Sequence, residues 1–249
     1  MAIPSISKKK IAWVRQLLHK RGRSKYEAFV VQGSKSVQEL LESAYTTQLI
    51  VASPDWWQHH QSTLPPHLIP LQATPTQLAA MGSFKTNHDV VAVATIQHHP
   101  LPRWQAGMRL LILDRLQDPG NVGTILRIAD WYGIPHIVCA QGTVDYLHPV
   151  ALQASMGSFL RVKVSYTDLA TYLVTCSGPC LGTFLTGADI HTSPMPTEGA
   201  LILGNEAQGI DEALLGHITH RLTIPAYGKA ESLNVATAAG ILCDRWVAA

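Results

Sequence analysis

From residue 109 to residue 247, short apolar segments alternate regularly with segments whose apolar residues recur at helical spacing. This alternation predicts an α/β fold in which helices cover both faces of a parallel sheet. In a sheet of this kind, ligands bind at the carboxyl ends of the strands. The predicted strands are residues 109–113, 136–140, 160–164, 180–185, 200–204 and 221–225, and the predicted helices are residues 122–132, 149–157, 167–175 and 232–247.

The first hundred residues carry a second, smaller α/β pattern. It begins with a basic amphipathic helix, and a later helix is expected to be capped by Thr74. Pro100 and Pro102 then suit a stiff linker. We therefore predict a small domain at residues 1–97, a linker at 98–106 and a larger domain at 107–249. In the small domain we expect strands at residues 26–33, 47–53, 67–71 and 89–96, a helix at 34–44, and burial of Ile11, Val14, Leu17 and Leu18.

Positive charge is concentrated at the N-terminus. Residues 1–35 contain nine Lys or Arg residues and one acid, Glu27, whereas the rest of the chain contains ten bases and sixteen acids. Such an asymmetry favours contact with a polyanion such as RNA, because bases that neutralise phosphates release counterions. A solvated outer helix face explains the charge equally well. The nine bases are Lys8, Lys9, Lys10, Arg15, Lys20, Arg21, Arg23, Lys25 and Lys35.

The sequence also excludes several classes of protein and of site. With 47% apolar and 14% charged residues, the chain is not a disordered polyelectrolyte. It has four cysteines without a CxxC pair and no secretory signal, so we expect reduced thiols and a cytoplasmic location. No apolar run approaches the ~18 residues of a membrane span. Signatures of a phosphate loop, a zinc helix, a nucleophile elbow or a GxGxxG dinucleotide site are absent, and the scattered histidines predict no metal site.

Three polar loops, each directly after a predicted strand, carry the candidate chemistry. They are LDRLQDPGNVGTILRIAD at residues 113–130, LILGNEAQGI at 201–210 and LTIPAYGKAESLNVATAAG at 222–240. A carboxylate at the end of a buried strand, such as Glu206, is rarely needed for packing alone.

Several of these loop residues also have purely local interpretations. Either Asp118 or Asn121 can cap the helix that follows the first loop, and either Ser232 or Asn234 can start the last helix. Arg127 lies in an otherwise apolar helix and needs an anion, which could be Asp130, Glu206 or an RNA phosphate.

Together the three loops closely resemble, in order and content, the three motifs of the SpoU (TrmH) family of RNA ribose 2′-O-methyltransferases, within the SPOUT superfamily. The resemblance covers about residues 107–249. The first hundred residues resemble the L30e-like RNA-binding domain of many members that act on ribosomal RNA. This second match rests on FVVQGSKSVQELLES, in which Gln32 stands where the family usually has Glu.

The resemblance implies a homodimer that binds S-adenosylmethionine in a deep C-terminal trefoil knot and uses no metal. By motif position, Gly204, Ile224 and Leu233 would contact the cofactor. Arg127 would fix the phosphate and ribose of the target and assist loss of the hydroxyl proton. Asn121, Ser232 and Asn234 would orient Arg127 and the loops, and Glu206 would either hold the knot loop or pair with Arg127.

The implied reaction determines the substrate class, because a 2′-hydroxyl occurs in RNA and not in DNA. We expect an unpaired loop or bulge, first in ribosomal RNA of the large subunit and second in transfer RNA. Two rival functions remain at this stage. One is a non-catalytic RNA-binding or ribosome-assembly factor that retains the fold, and the other is a SPOUT enzyme that methylates a base.

Overall fold

The predicted alternation of strands and helices is realised in the computed structural model, which describes residues 3–61, 64–65, 68, 71–83 and 89–248. In chain order the elements are α1 (Lys8–Gln16), α2 (Lys20–Tyr26), β1 (Ala28–Gln32), α3 (Ser34–Glu42), β2 (Thr47–Ala52), α4 (Pro54–His60), β3 (Leu71–Gln72), α5 (Pro75–Met81), β4 (Val90–Thr95), β5 (Arg109–Leu113), α6 (Pro119–Trp131), β6 (His136–Ala140), α7 (Pro149–Ser155), β7 (Lys163–Thr167), α8 (Leu169–Leu173), β8 (Cys180–Asp189), β9 (Gly199–Leu203), α9 (Glu212–Leu215), β10 (His220–Thr223) and α10 (Val235–Val247).

The chain divides into two units, residues 1–97 with 147–160 and residues 98–146 with 161–249. In the first unit the strand order is β1-β4-β2-β3, with β4 antiparallel to both of its neighbours. One side of this sheet buries Val14 and Leu17 of the N-terminal segment. Phe159, from the second stretch of this unit, packs edge-on against Phe29 and Tyr45. The predicted domain limits stay a prediction.

The second unit contains a six-stranded parallel sheet in the order β10-β8-β9-β5-β6-β7. The predicted fold class, a parallel sheet flanked by helices with a small α/β unit at the N-terminus, is therefore confirmed. The central strands β5 and β9 are buried almost throughout because both of their faces are covered. The trefoil knot stays a prediction.

Most predicted elements are present, with shifted ends. The strand predicted at 160–164 is instead β7, because residues 158–160 form a 3₁₀ turn that buries Phe159. The last helix begins after Asn234 rather than at residue 232. Of the strand predicted at 67–71, only Leu71 lies in β3, and His67, Ile69 and Pro70 lie outside the described residues. The short helices α4 and α9 were not predicted.

The N-terminal helix is broken in two, and the break changes the role of Arg23. Val14 and Leu17 are buried as predicted, while Ile11 and Leu18 are half-buried against the same core. Arg23 is only 2% exposed and donates hydrogen bonds from Nη1 to the carbonyls of Leu17 and Leu18, where α1 ends. Eight of the nine N-terminal bases are exposed, and Arg23 is the exception.

Candidate active site

The candidate site lies where β5 and β9 run side by side in the parallel sheet. From β5 the chain adds β6 and β7 on one side, and it then places β9, β8 and β10 on the other side. In open α/β sheets, ligands bind outside the carboxyl ends of the strands at such a reversal point. The loops after β5 and β9 are joined at their start, where the Asp114 amide donates to the Leu203 carbonyl at 2.9 Å.

A chain of side-chain hydrogen bonds connects the three predicted motif loops. Asn121 donates from Nδ2 to Oε1 of Glu206 at 3.1 Å, and Asn234 donates from Nδ2 to Oδ1 of Asn121 at 2.9 Å. Glu206 also accepts the backbone amides of Gln117 at 3.3 Å and Asp118 at 3.4 Å. Three residues predicted at the site are therefore in direct contact.

Helix capping fixes where two of these side chains lie. Asp118 caps α6 by accepting the Asn121 amide at 2.8 Å, so the Asn121 side chain remains available to bridge Glu206 and Asn234. Asn234 caps α10 by accepting the amides of Ala236 and Thr237 through Oδ1. Its Nδ2 group faces Asn121. Of the paired alternatives left open by the sequence, Asp118 and Asn234 are the caps.

A second polar cluster, which the sequence analysis missed, holds the loops after β5 and β9 together. Asp114 is 2% exposed and binds the guanidinium of Arg115 through both carboxylate oxygens, at 2.8 and 3.2 Å. It also accepts the Asp211 amide at 2.7 Å. Asn205 donates to the Arg115 carbonyl at 2.8 Å. The pKa of Arg115 is raised above its usual value, chiefly because its guanidinium is hydrogen-bonded to the Asp114 carboxylate.

Gly204 stands where the loop after β9 folds back on itself. The Asn205 and Gly209 backbones exchange two hydrogen bonds of 2.9 Å. A Cβ atom at position 204 would lie 2.5 Å from backbone atoms of Gly209 and Ile210. Only glycine fits at this close approach of two backbone segments. The turn presents Glu206 at its exposed tip.

Arg127 lies on the exposed side of α6 without a carboxylate partner among the described residues. Of the two intramolecular partners considered, Asp130 binds Arg161 at 2.8 Å, and Glu206 accepts from Asn121 and the backbone. Arg127 therefore pairs with neither Asp130 nor Glu206. Both carboxylates already accept from other donors, so the guanidinium remains accessible to an external anion.

The other predicted cofactor and catalytic residues lie on the segment between β10 and α10. Ile224 directly follows β10 and is half-buried, while Ser232 and Leu233 are exposed and lead directly into Asn234. Residues 225–233 form no hydrogen bond with the described part of the chain. Their carbonyls and the amides of residues 226–233 are therefore available to a ligand.

The described residues offer neither a metal site nor an activated thiol. They contain no group of three or more His, Cys, Asp or Glu side chains placed to hold a metal ion. Burial raises the pKa of Cys180 and Cys243 to about 12, and the pKa of Cys139 is raised as well. Among the described helices, none combines the length and the apolar character that crossing a bilayer requires.

Comparison with known proteins identifies similar sequences over nearly the whole chain. Residues 108–244 match the SpoU rRNA Methylase family, and residues 8–92 match the MRM3-like substrate binding domain. The 23S rRNA (guanosine(2553)-2′-O)-methyltransferase RlmP of Bacillus subtilis is 31% identical over 244 residues, which cover 96% of each chain.

Two solved structures are similar over both units. A Porphyromonas gingivalis protein described as an RNA methyltransferase of the TrmH family is 34% identical, with a TM-score of 0.85 over 97% of this chain and 98% of that one. An AdoMet-bound rRNA methyltransferase from Sinorhizobium meliloti is 26% identical, with a TM-score of 0.87 over 98% of this chain and 96% of that one.

Proposed function

The chain belongs to the SpoU rRNA methylase family, and from this premise we propose that it transfers a methyl group from S-adenosylmethionine to a ribose 2′-hydroxyl of ribosomal RNA. The family resemblance stated from the three motifs is confirmed. The observation that carries the proposal is the hydrogen-bonded chain Glu206–Asn121–Asn234, which joins all three motif loops at the reversal point of the parallel sheet. Scattered surface loops would form no such chain.

The residues at this carboxyl edge of the sheet fit S-adenosylmethionine. Its amino-acid and nucleoside parts need hydrogen-bond partners, and the backbone groups of residues 225–233 are not used within the described chain. Gly204 allows the loop after β9 to fold back tightly at the carboxyl edge of the sheet. We assign cofactor contacts to Gly204, Ile224 and Leu233. The bound cofactor supplies a methyl group on an electrophilic sulfonium.

The protein side chains align the acceptor oxygen and assist its proton loss. Alignment supplies much of the rate in an in-line displacement, and no metal is required. Arg127 binds the phosphate and ribose of the target, and its positive charge favours the alkoxide that forms. A guanidinium is a poor base because it stays protonated at neutral pH, so the hydroxyl proton passes to solvent water. Asn121, Ser232 and Asn234 position the loops, and Glu206 holds the turn after β9 against α6.

RNA is the substrate class because only RNA carries the acceptor hydroxyl. The match of residues 8–92 to a substrate binding domain supports an RNA-binding role for the first unit. Its eight exposed N-terminal bases supply the salt-dependent attraction to phosphates. Large-subunit ribosomal RNA is the substrate that we propose, given the similarity to an enzyme named for 23S rRNA.

We also propose that the protein is a homodimer and that it acts in the cytoplasm. The exposed face of α6 supports a dimer, since Trp131 is 82% exposed there, one turn beyond Arg127, and tryptophan is enriched at protein interfaces. A second copy that covers this face would bring its own groups close to Arg127. Sedimentation equilibrium of the wild-type protein and of Trp131→Glu tests this, and a wild-type monomer at micromolar concentration would refute the dimer.

The test of the reaction is to map 2′-O-methyl groups in total RNA from cells with and without the gene. We expect one ribosomal site to lose its methyl group and to regain it when the purified enzyme and S-adenosylmethionine are added. Nuclease digestion and mass spectrometry then identify the product. A methyl on a base would refute the reaction type, and failure to bind S-adenosylmethionine even with RNA present would favour a non-catalytic factor.

A further inference from the structure

Tyr227 is the most exposed large apolar or aromatic side chain in the described structure, at 92%. It lies on the segment between β10 and α10, where residues 226–234 are all exposed. A tyrosine normally buries its ring and keeps only its hydroxyl in water. An aromatic ring that is exposed over nearly its whole surface is free to stack on a partner from outside the chain.

No structural role within the described residues explains this tyrosine. Tyr227 forms neither a hydrogen bond nor a ring contact with them, in contrast to Tyr132, Tyr146, Tyr166 and Tyr172 of the same unit. Space around the neighbouring Gly228 is open, because a Cβ atom there would meet no heavy atom within 4 Å. Replacing Tyr227 is therefore not expected to disturb packing.

Tyr227 lies on the loop that connects the end of β10 to Asn234 of the candidate active site. It follows Thr223, the last residue of β10, by four positions, and four extended residues span at most about 14 Å. On the other side the segment ends at Asn234, which is bonded to Asn121. Tyr227 thus lies on the loop whose two ends are fixed at the carboxyl edge of the sheet.

We propose that Tyr227 is a stacking platform for an unpaired nucleobase of the RNA, at or next to the methylated nucleotide. This inference rests on the proposed function. A ribose can be aligned only if its base and phosphate are also held, and unpaired bases in RNA loops are commonly held by stacking on aromatic rings. Lys229, two residues further along the same loop, is exposed and provides a cation for an adjacent phosphate.

Methyl transfer to ribosomal RNA from cells that lack the gene tests the platform, with the wild type and the Tyr227→Phe, Tyr227→Ala and Val174→Ala variants. Phenylalanine keeps the stacking face, so we expect its KM for RNA within about twofold of wild type. Alanine removes it, and we expect KM for RNA to rise about tenfold or more. Val174, 75% exposed at the end of α8, is the control for loss of an exposed apolar side chain and should leave KM unchanged.

The affinity of each protein for S-adenosylmethionine, measured by calorimetry without RNA, distinguishes stacking of Tyr227 on a base from contact of Tyr227 with the cofactor. The platform predicts equal affinities for all four proteins. An alanine variant that retains the wild-type KM, a phenylalanine variant as impaired as alanine, or a parallel loss of cofactor affinity would each overturn it. Absence of methyl transfer by the wild type would instead refute the proposed function, and the two failures are therefore distinguishable.

Discussion

Two groups of polar residues behave in opposite ways. One is the basic surface, formed by the exposed Lys and Arg side chains of residues 1–35. The other is the polar chain, which we define as the series of side-chain hydrogen bonds Glu206–Asn121–Asn234 at the carboxyl edge of the parallel sheet. Among the first 35 residues, eight bases project into solvent and are accompanied by a single acid. At the sheet edge, Glu206, Asn121 and Asn234 bond to one another and to helix termini. The first arrangement attracts a polyanion, whereas the second fixes atoms in place.

This difference separates affinity from catalysis. Charges that are exposed to solvent act over several ångströms, tolerate substitution and are screened by salt. A hydrogen-bonded chain acts only over bonding distances, and its disruption leaves polar groups without partners. We therefore expect changes in the polar chain to affect kcat, and changes in the basic surface to affect RNA binding and its salt dependence.

Arg127→Ala should have the largest effect, because we propose that Arg127 binds the phosphate and ribose of the target, and it has no carboxylate partner in the described structure. We expect methyl transfer to fall about 100- to 1,000-fold, as for removal of a group that stabilises developing negative charge. Cofactor affinity should change less than twofold. Arg161→Ala is the matched control, since Arg161 is an exposed arginine already bound to Asp130. Near wild-type turnover in Arg127→Ala would remove this residue from the mechanism.

Glu206→Gln tests the polar chain itself. Glutamine has one acceptor oxygen, so it cannot accept from Asn121 and Asp118 at one oxygen and from Gln117 at the other. We expect kcat to fall about 10- to 100-fold, with the KM for RNA changed less than threefold. Glu212→Gln, an exposed acid in the first turn of α9, should behave like wild type. If Glu206→Gln and Glu212→Gln lowered kcat equally, the loss of a negative charge, rather than the loss of the hydrogen bonds of Glu206, would be the cause.

Replacing Lys8, Lys9 and Lys10 by glutamine tests the basic surface. Each lysine that neutralises a phosphate contributes about 0.7–0.9 to the slope of log K against log salt, so the triple variant should have a shallower slope with kcat unchanged. Filter binding between low and moderate salt measures the slope. Deleting residues 1–24 would be a poorer experiment, because it would also remove Val14 and Leu17 from the core. An unaltered slope would mean that these lysines are only a solvated face.

Arg23→Met sharpens the contrast within the same basic segment. Arg23 is buried, and Nη1 donates hydrogen bonds to the carbonyls of Leu17 and Leu18 at the end of α1. Its replacement should lower the free energy of unfolding by about 1–3 kcal/mol, measured by urea denaturation. The salt slope of RNA binding should stay at the wild-type value. A flatter slope in this variant would indicate that Arg23 contacts RNA.

The cysteines should give the smallest effect. A raised pKa lowers the thiolate fraction at any given pH, so Cys180 and Cys243 should resist iodoacetamide at about pH 7–8.5 in the folded protein and react only once it is unfolded. Mass spectrometry of the alkylated protein measures this, and turnover should be unaffected. Rapid inactivation by the reagent would mean that a thiol contributes to the active site.

Local sequence was sufficient for elements and caps that depend on a few neighbouring residues. Thr74 caps α5, as predicted, and Gln77 completes a capping box with it. By contrast, Ser232 and Asn234 could not be distinguished as caps, since both are good N-cap residues. Asp114 and Arg115 were missed, although a carboxylate directly after a buried strand is the same signal that singled out Glu206.

The amino-acid sequence by itself determined the alternation of strands and helices, the excess of positive charge at the N-terminus and the three motif loops, because these features depend on residues close together in the chain. Only the tertiary structure decided that β5 and β9 are adjacent, that Arg23 is buried and that Glu206, Asn121 and Asn234 are linked by side-chain hydrogen bonds. Those bonds join residues 85 and 113 positions apart. Contacts at such separations follow from which strands pair, and strand pairing is decided by packing of the whole sheet.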